Sequence, residues 1–439
     1  MRGNCKKLLL MLALLFYMAT SVHGALAAAI PADRPLALDE AVSLALGTHP
    51  RIKGSEQDLD AARFVTKQAV SAFWPQVGFE TSRDYIHSAR KIRVGGTGIT
   101  TTADYVANNF NFNTDWMLFD FGRTYYNVKG LAALEDSLLN DLSAAQQQVA
   151  YDVMNAYFGL LKAQSLVKVS QETLDAANLH LKQARSFFDV GVKPQYDVTS
   201  AEVQVNDANV TLIQADDAVK AARVVLNTNI GLAPLTPTTV SDPPALEDLK
   251  KPMDEYYQEA VNNRPEIRSL EAKIKSSEMS VKGAVANYLP TVSASAVMNW
   301  YKEDHSDALD NENFQLTLDI PLFTGFRTEA QVGQARANAL STKYRLEDLK
   351  LAVLSDVSQS YIAVEDAKAR FVALESSVRK AKENLDIAQG RYEAGVGQII
   401  DVTDAQVSLT KAETDYATAK YDYHTAYTNL LKSIGKSVK

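Results

Sequence analysis

The chain has 439 residues, of which 46% are hydrophobic and 22% charged, a balance typical of a folded protein rather than a disordered one. Its formal net charge of −8 argues against a nucleic-acid partner, because phosphate backbones are bound by basic surfaces. Cys5 is the sole cysteine, so no disulfide and no cysteine-based metal site can form within the chain.

Residues 1–27 have the pattern of a secretory signal peptide. A basic start is followed by the apolar stretch LLLMLALLFYMA and then by small residues, and we expect cleavage near Ala27. Cleavage removes Cys5, which precedes the apolar stretch and so cannot become a lipid-anchored first residue. The loss of three basic residues takes the net charge from −8 to −11. No later run of about 18 apolar residues predicts a transmembrane helix, so a membrane crossing would need β-structure.

The rest of the chain contains an internal duplication. The stretch LFDFGRT at residues 118–124 returns as LFTGFRT at 322–328, a shift of 204 positions. At the same shift, GVKPQYDVTSA at 191–201 returns as GVGQIIDVTDA at 395–405. A period this long indicates that a whole structural unit has been duplicated, and not a short solenoid repeat.

Nearer the N-terminus the shift changes. THPRIKGSE at 48–56 matches NRPEIRSLE at 263–271, which is a shift of 215, so the first copy has 11 extra residues. The glycine- and threonine-rich stretch at 91–102 lies where these residues must fall, and it predicts a longer loop in the first copy.

The duplication predicts the domain organisation. We expect a first repeat at residues 28–231 and a second at 253–439, each with the order helix, strand, strand, helix. Between them, residues 232–252 form a linker in which five prolines prevent any long helix.

Four stretches alternate polar and apolar residues with a period of two, which is typical of strands with one polar and one apolar face. Each is about ten residues long, as a strand of an outer-membrane barrel needs to be. An ordinary two-layer sheet with one solvated face remains an alternative. The residues that we predict to face lipid are Val77, Phe79, Phe110, Phe112, Trp116, Phe314, Leu316 and Leu318. Four strands cannot close a barrel, so a barrel would require an oligomer.

Long helices follow the second and fourth strands. After residue 322 there is no proline, and apolar residues recur at alternating steps of three and four between Leu346 and Tyr392. This spacing is typical of the 3.5-residue period of coiled coils. The equivalent stretch of the first copy, residues 123–190, predicts a helix about 100 Å long. This is far longer than an ordinary helix, which has about 11–12 residues on average.

The two G-V-x4-D-V stretches, at 191–198 and 395–402, are predicted to be turns between long helices. Gly191 and Gly395 fit left-handed caps, and Asp197 and Asp401 follow near the start of the next helix. Simple capping of a helical hairpin remains an alternative explanation for this pattern. In the second copy Asp404 lies three positions after Asp401, so both carboxylates share one helix face.

With this order of elements, the LFDFGR and PLFTGFR stretches and the two G-V-x4-D-V turns, the chain resembles the TolC family of outer membrane efflux proteins, the outer membrane factor channels. The resemblance covers essentially the whole chain after the signal. It implies an α+β membrane protein, a homotrimer in which four strands per chain form one twelve-stranded transmembrane β-barrel. A long α-helical coiled-coil barrel continues this barrel across the periplasm.

The resemblance also implies a function and partners. The protein would be an outer membrane channel, the exit duct of a tripartite efflux pump or type I secretion system, for passive export of small molecules or proteins. Its implied partners are a periplasmic membrane-fusion adaptor protein, an inner-membrane pump of the RND or ABC type, and outer membrane lipid, with no nucleic acid.

Three groups of site residues follow from the resemblance. The strand-to-helix junctions are Phe119, Gly122, Arg123, Phe323, Gly325 and Arg327. The turns that dock the adaptor contain Gly191, Val192, Asp197, Val198, Gly395, Val396 and Val402. The periplasmic gate contains Asp401, Asp404 and Tyr392, with the carboxylates of three chains in a ring near the axis. Gly397 stands where the best-known member has an arginine, so that member's locking bond cannot form here.

No catalytic or phosphate-binding motif is present, so the sequence predicts no enzyme activity, no metal site and no cofactor. One other class of protein stays open from the residues alone, a periplasmic coiled-coil adaptor or scaffold without a pore. Such a protein would not need four strands with an apolar face.

Overall fold

The computed structural model describes residues 34–94, 97–243, 246, 251–304 and 307–436, and for 88–94 and 97–103 it describes the backbone alone. The predicted signal peptide, with its cleavage point, lies outside the described residues, as does part of the proline-rich linker.

Long helices flank a single antiparallel sheet. In chain order the elements are α1 (Leu38–Thr48), α2 (Pro50–Ser71), β1 (Gln76–Val94), β2 (Thr97–Phe119), α3 (Arg123–Asp189), α4 (Gln195–Ile230), α5 (Met253–Asn263), α6 (Pro265–Ala286), β3 (Thr291–Glu303), β4 (Leu309–Asp319), α7 (Arg327–Glu393) and α8 (Ile399–Ser433). The two halves of the chain have matching elements. Helices α3 and α7 each contain 67 residues, and α2 and α6 each contain 22.

The two longest helices are uninterrupted because neither α3 nor α7 contains a proline. At 1.5 Å per residue, 67 residues extend about 100 Å, as predicted. Every residue of the seam predicted in α7, from Leu346 to Tyr392, is buried or half-buried, while most residues between them are exposed. The seam packs against α8, and α3 packs in the same way against α4. None of the described helices is long and apolar enough to cross a membrane.

The strands pair in the order β1-β2-β3-β4, each antiparallel to its neighbour. The predicted longer loop at 91–102 is wrong. Strand β1 runs to Val94 and β2 starts at Thr97, and their pairing continues for ten residue pairs beyond the last pair between β2 and β3. The β1–β2 hairpin therefore extends about 33 Å beyond β3, at about 3.3 Å per residue, and the 11 extra residues of the first copy account for about half of this length.

The largest core cluster lies midway along α3, where α1, α4 and the linker pack against it. Tyr157 of α3 is fully buried, and its hydroxyl lies 2.6 Å from the carbonyl oxygen of Ser241 and 2.9 Å from that of Leu36. Leu36 and Val240 form a short parallel bridge. The linker and residues near 36 are thereby fixed to the middle of the helical part, away from both ends of the long helices.

Candidate functional site

Two consecutive residues with positive φ mark the point where each strand passes into a long helix. They are Phe121 (φ 55°) and Gly122 (φ 91°) in the first copy, and Gly325 (φ 62°) and Phe326 (φ 63°) in the second. The left-handed region favours glycine because it has no Cβ. Each copy places its glycine at a different one of the two positions, which explains why the glycines in LFDFGRT and LFTGFRT are out of step.

Side chains at equivalent positions support these junctions. In the first copy, Asp120 accepts hydrogen bonds from the backbone N–H groups of Gly122 (3.1 Å) and Thr124 (2.7 Å). In the second copy, the hydroxyl of Thr324 accepts a hydrogen bond of 3.4 Å from the backbone N–H of Thr328. Both residues satisfy backbone donors at the start of a helix, as N-cap residues do.

The other predicted junction residues lie beside these turns. Phe119 is the last residue of β2, and Arg123 and Arg327 are the first residues of α3 and α7. Phe323 is exposed and lies against the ring of Phe326 with 5.5 Å between ring centroids. All six predicted junction residues are therefore at the two places where strand and helix meet.

The residues that we predicted to face lipid share one face of the sheet. Phe112 pairs with Phe79 on one side and with Met298 on the other, and Leu316 pairs with Ala294. Exposure within one chain is high, with Phe314 at 76% and Leu316 at 63%. The exposed apolar set on this face is Val77, Phe79, Phe110, Phe112, Trp116, Met298, Trp300, Phe314, Leu316 and Leu318. Asn111 and Asn313 belong to the opposite, polar face, as the period of two predicts.

At the far end of the long helices, two tight turns join α3 to α4 and α7 to α8. Gly191 (φ 73°) and Gly395 (φ 77°) have the left-handed conformation, and the amides of Val192 and Val396 bond back to carbonyls of the preceding helices. This is the predicted glycine cap, and it leaves the side chains of Val192 and Val396 on the surface.

Three other residues predicted in the docking turns are not on the surface. Asp197 is 6% exposed, Val198 5% and Val402 2%. Val198 and Val402 lie near the start of α4 and α8 and face the partner helix of their own hairpin, whereas Asp197 faces α7 of the other hairpin. These three side chains are covered by neighbouring helices in this conformation. Their docking role stays a prediction.

Asp197 has a partner that the sequence did not indicate. The hydroxyl of Tyr392, on α7, donates a hydrogen bond of 3.2 Å to the carboxylate of Asp197, on α4, and both residues are buried. Asp401 differs, since its carboxylate accepts from the backbone N–H of Gln398 and so caps α8. Capping thus explains Asp401 but not Asp197, which instead connects the two hairpins.

The environment of Tyr392 keeps its hydroxyl protonated. Burial, together with the negative charge of Asp197 and the hydrogen bond to it, raises the pKa of Tyr392 to about 12. The ring also contacts Phe187 of α3 edge-on, with 5.6 Å between centroids. Tyr392 can therefore act as a hydrogen-bond donor between the hairpins throughout the physiological pH range.

Further contacts connect the two hairpins along about four helical turns. The side-chain amide of Gln204 donates to the Thr403 hydroxyl at 2.7 Å, and that of Gln183 donates to the Glu393 carboxylate at 3.1 Å. The buried imidazole of His180 lies 3.4 Å from the side-chain amide of Gln389. These contacts all join a residue of the first half of the chain to one of the second half.

Asp401 and Asp404 lie beside this interface with their side chains exposed. They occupy the first two turns of α8 and share one face of it, as their spacing predicts. Tyr392 lies apart from them in the seam between α7 and α8, so the three residues that we predicted as a gate do not form one cluster within a single chain.

The match to a family model decides the identity of the chain. The model for the outer membrane efflux protein family matches residues 41–232 and 256–436. The chain belongs to the outer membrane efflux protein family. Residues 233–255, between the two matched segments, largely coincide with the predicted proline-rich linker at 232–252.

Relatives of known name agree with this membership. Protein CyaE of Bordetella pertussis is 26% identical over 416 residues, covering 92% of this chain and 83% of the relative. Outer membrane protein TolC of Escherichia coli is 22% identical over 409 residues, covering 88% and 80%. The predicted resemblance to the TolC family is confirmed.

Solved structures of outer-membrane proteins share this fold. The outer-membrane channel OprN superposes with a TM-score of 0.79 at 21% identity, covering 91% of this chain and 90% of that one. The outer membrane protein VceC of Vibrio cholerae gives 0.77 at 18% identity, covering 91% and 96%. The chain is thus an outer membrane efflux protein with a periplasmic helical tunnel, and it serves as an exit duct for efflux or secretion. No comparison supports the alternative of an adaptor or scaffold without a pore.

Proposed function

We propose that three copies of this efflux protein form one channel, with a twelve-stranded barrel in the outer membrane and a helical tunnel in the periplasm. The observation that carries this proposal is the continuous apolar face of the four-stranded sheet, which is exposed in a single chain. An apolar surface of this size needs lipid or protein to cover it. In outer-membrane barrels the apolar face of the sheet contacts lipid on the outside, and the polar face lines the inside.

The length of the paired strands supports a membrane-spanning role. Strand β4 has 11 residues and pairs along its whole length with β3. At about 3.3 Å per residue it is about 36 Å long, and at a tilt of about 40° it spans about 28 Å. The apolar band of outer-membrane barrels is about 25 Å tall. The apolar face therefore fits the thickness of such a membrane.

The edges of the sheet support an oligomer. Within the part of the chain that the structure describes, β1 and β4 each pair with one strand, so each leaves a row of backbone groups unpaired. Unpaired backbone groups are not tolerated in lipid, and a closed barrel removes them. Pairing β4 of one copy with β1 of the next, three times over, closes twelve strands.

The gate and the docking surface lie at the other end. We propose that the exposed turn residues Gly191, Val192, Gly395 and Val396 contact a periplasmic adaptor protein, which connects the channel to an inner-membrane pump of the RND or ABC type. AprF, an alkaline protease secretion protein, and TtgC, a probable efflux pump outer membrane protein, are relatives whose names indicate secretion and efflux. The cargo follows from the pump that is engaged.

Asp401 and Asp404 are the residues that we propose to set ion selectivity at this end. In a trimer the exposed pairs from three copies bring six carboxylates together around the axis, where they attract cations. Tyr392 holds the two hairpins of each chain together through Asp197, which keeps the carboxylates close to one another.

The experiment that tests the proposed function is the mass of the protein extracted by detergent from purified outer membranes. Three chain masses per particle in native mass spectrometry are the expected result. A monomer or dimer, or protein that washes from the membranes in high salt, would contradict barrel closure and favour a periplasmic scaffold.

A further inference from the structure

Two equivalent positions of the two repeats contact each other at the hairpin tips. Lys193 and Gly397 are the third residues of the G-V-x4-D-V turns and lie 204 positions apart, which is the shift of the duplication. The ammonium group of Lys193 donates a hydrogen bond of 3.2 Å to the carbonyl oxygen of Gly397. The first turn therefore binds the second through a side chain that the second turn lacks.

The second turn has no room for a side chain of its own at this position. A Cβ on Gly397 would lie 2.9 Å from the backbone nitrogen of Tyr392 and 3.0 Å from the carbonyl carbon of Arg391. Both are backbone atoms that a rotamer change cannot move. Of these two equivalent positions, only the one in the first turn can therefore carry a cationic side chain in this conformation, and there Lys193 is half-buried.

Lys193 also reaches the ring of Tyr392. Its ammonium nitrogen lies 4.7 Å from the ring centroid, within the range of cation–π attraction. The hydroxyl at the other end of the same ring donates to Asp197, four residues after Lys193. Tyr392 is thus bound by two charged residues of opposite sign, and both belong to the segment that starts α4.

We propose that Lys193 is the lock between the two hairpin tips, holding α7 and α8 against α3 and α4 in the closed conformation. This inference rests on the proposed function, in which the tips form the gate of the channel. Lys193 occupies the position at which the second repeat has a glycine, Gly397. The locking side chain therefore belongs to the first repeat and binds the second. Val192, the preceding residue, is exposed at the tip, so a protein that binds the turn at Val192 also displaces Lys193.

The test uses purified full-length protein in planar lipid bilayers. Lys193→Met removes the hydrogen bond and the charge, and Lys193→Arg keeps a cation that can reach both the Gly397 carbonyl and the Tyr392 ring. Lys182→Met is the matched control, because Lys182 is exposed on α3 and its side chain has no hydrogen bond or ion pair within the described residues. We expect Lys193→Met to raise the open probability about tenfold, with Lys193→Arg and Lys182→Met near the wild type.

The outcomes separate the lock from the gate. Oligomer mass is measured for each variant, and Lys193→Gln replaces Lys193→Met if the latter fails to assemble. If Lys193→Met and Lys182→Met conduct alike as intact oligomers, the lock is refuted. If, at the same time, Asp401→Ala with Asp404→Ala still changes ion selectivity, the proposed gate stands and only Lys193 loses its role. If that double variant is also unchanged, both the gate and the lock are wrong.

Discussion

Tyr392 of the second repeat donates a hydrogen bond to the buried carboxylate of Asp197 in the first repeat, at a distance of 3.2 Å. The two residues are 195 positions apart and belong to different hairpins. A buried carboxylate that loses its donor costs more than the bond itself contributes, because the charge is then left without a partner. Loss of the Tyr392 hydroxyl should therefore destabilise the contact between the two hairpins.

Replacing Tyr392 by Phe should loosen the tip and increase conductance. The ring stays in the cluster with Phe187, but Asp197 loses its donor, at a cost of about 1–3 kcal/mol. Single-channel recording measures the effect. Tyr416→Phe is the control, since Tyr416 stacks on Phe371 and its hydroxyl has no hydrogen-bond partner within the described residues. Equal conductance in the two variants would show that the Asp197 bond does not hold the tip.

Mild acid should also weaken the contacts between the hairpins. Burial lowers the pKa of His180 below its ordinary value of 6.5, and the neighbouring Gln183, Gln406 and Glu393 oppose this shift only in part. Because the pKa of His180 is lower in the packed interface than in the open one, the imidazole binds a proton more tightly once the interface opens. The neutral imidazole contributes its full stability above pH 6.5, and this stability is lost as the pH falls through the lower pKa of the packed state. Once protonated, the imidazole can no longer accept a hydrogen bond from Gln389.

We expect channel opening to rise as the pH falls below 6.5 in the wild type and to change less in His180→Gln. Conductance in bilayers between pH 7.5 and pH 5 measures this. His424→Gln is the control, because burial lowers the pKa of His424 too, yet it lies about 37 Å from the start of α8. The role of His180 is contradicted if His180→Gln and the wild type have the same pH profile.

Periodic features of this fold could be predicted from the sequence, because local repetition determines them. The seam from Leu346 to Tyr392 and the alternation around Phe112 are properties of neighbouring residues. The duplication predicted which positions of the two repeats are equivalent. It could not predict that Lys193 and Gly397 touch, because equivalence in sequence contains no information on contact in space.

The mistaken loop at 91–102 has a physical explanation. Its glycines at 95, 96 and 98 indicated a loop. The other residues between 97 and 102, where β2 begins, are all threonine or isoleucine. These β-branched residues favour extended backbone, so Thr97 to Thr102 pair with residues 89–94. The burial of Asp197 against Tyr392 could not be predicted for another reason. An aspartate that follows a turn can be either a helix cap or a buried hydrogen-bond acceptor. Only the packing of α7 distinguishes the two.

Removing the carboxylates of Asp401 and Asp404 together should reduce cation selectivity. Two such charges about 6 Å apart repel by about 0.7 kcal/mol in water and by about 3 kcal/mol at an effective dielectric of 20, so a narrow ring of them favours bound cations. The reversal potential in a salt gradient measures selectivity for the Asp401→Ala, Asp404→Ala double variant. Asp216→Ala with Asp217→Ala removes the same charge from α4 and serves as the control. An unchanged reversal potential in the first variant would refute the ring.

A charge on the apolar face of the sheet should prevent assembly, whereas the same charge on the polar face should not. Leu316 and Gln315 are neighbours on β4, and their side chains point to opposite faces. Arginine on the lipid face costs about 2–4 kcal/mol near the middle of the membrane, and residues that face the lumen tolerate charge. We expect Leu316→Arg to lower the yield of heat-resistant oligomer in outer-membrane fractions and Gln315→Arg to leave it near the wild type. If Gln315→Arg were the damaging substitution, the assignment of the two faces would be reversed.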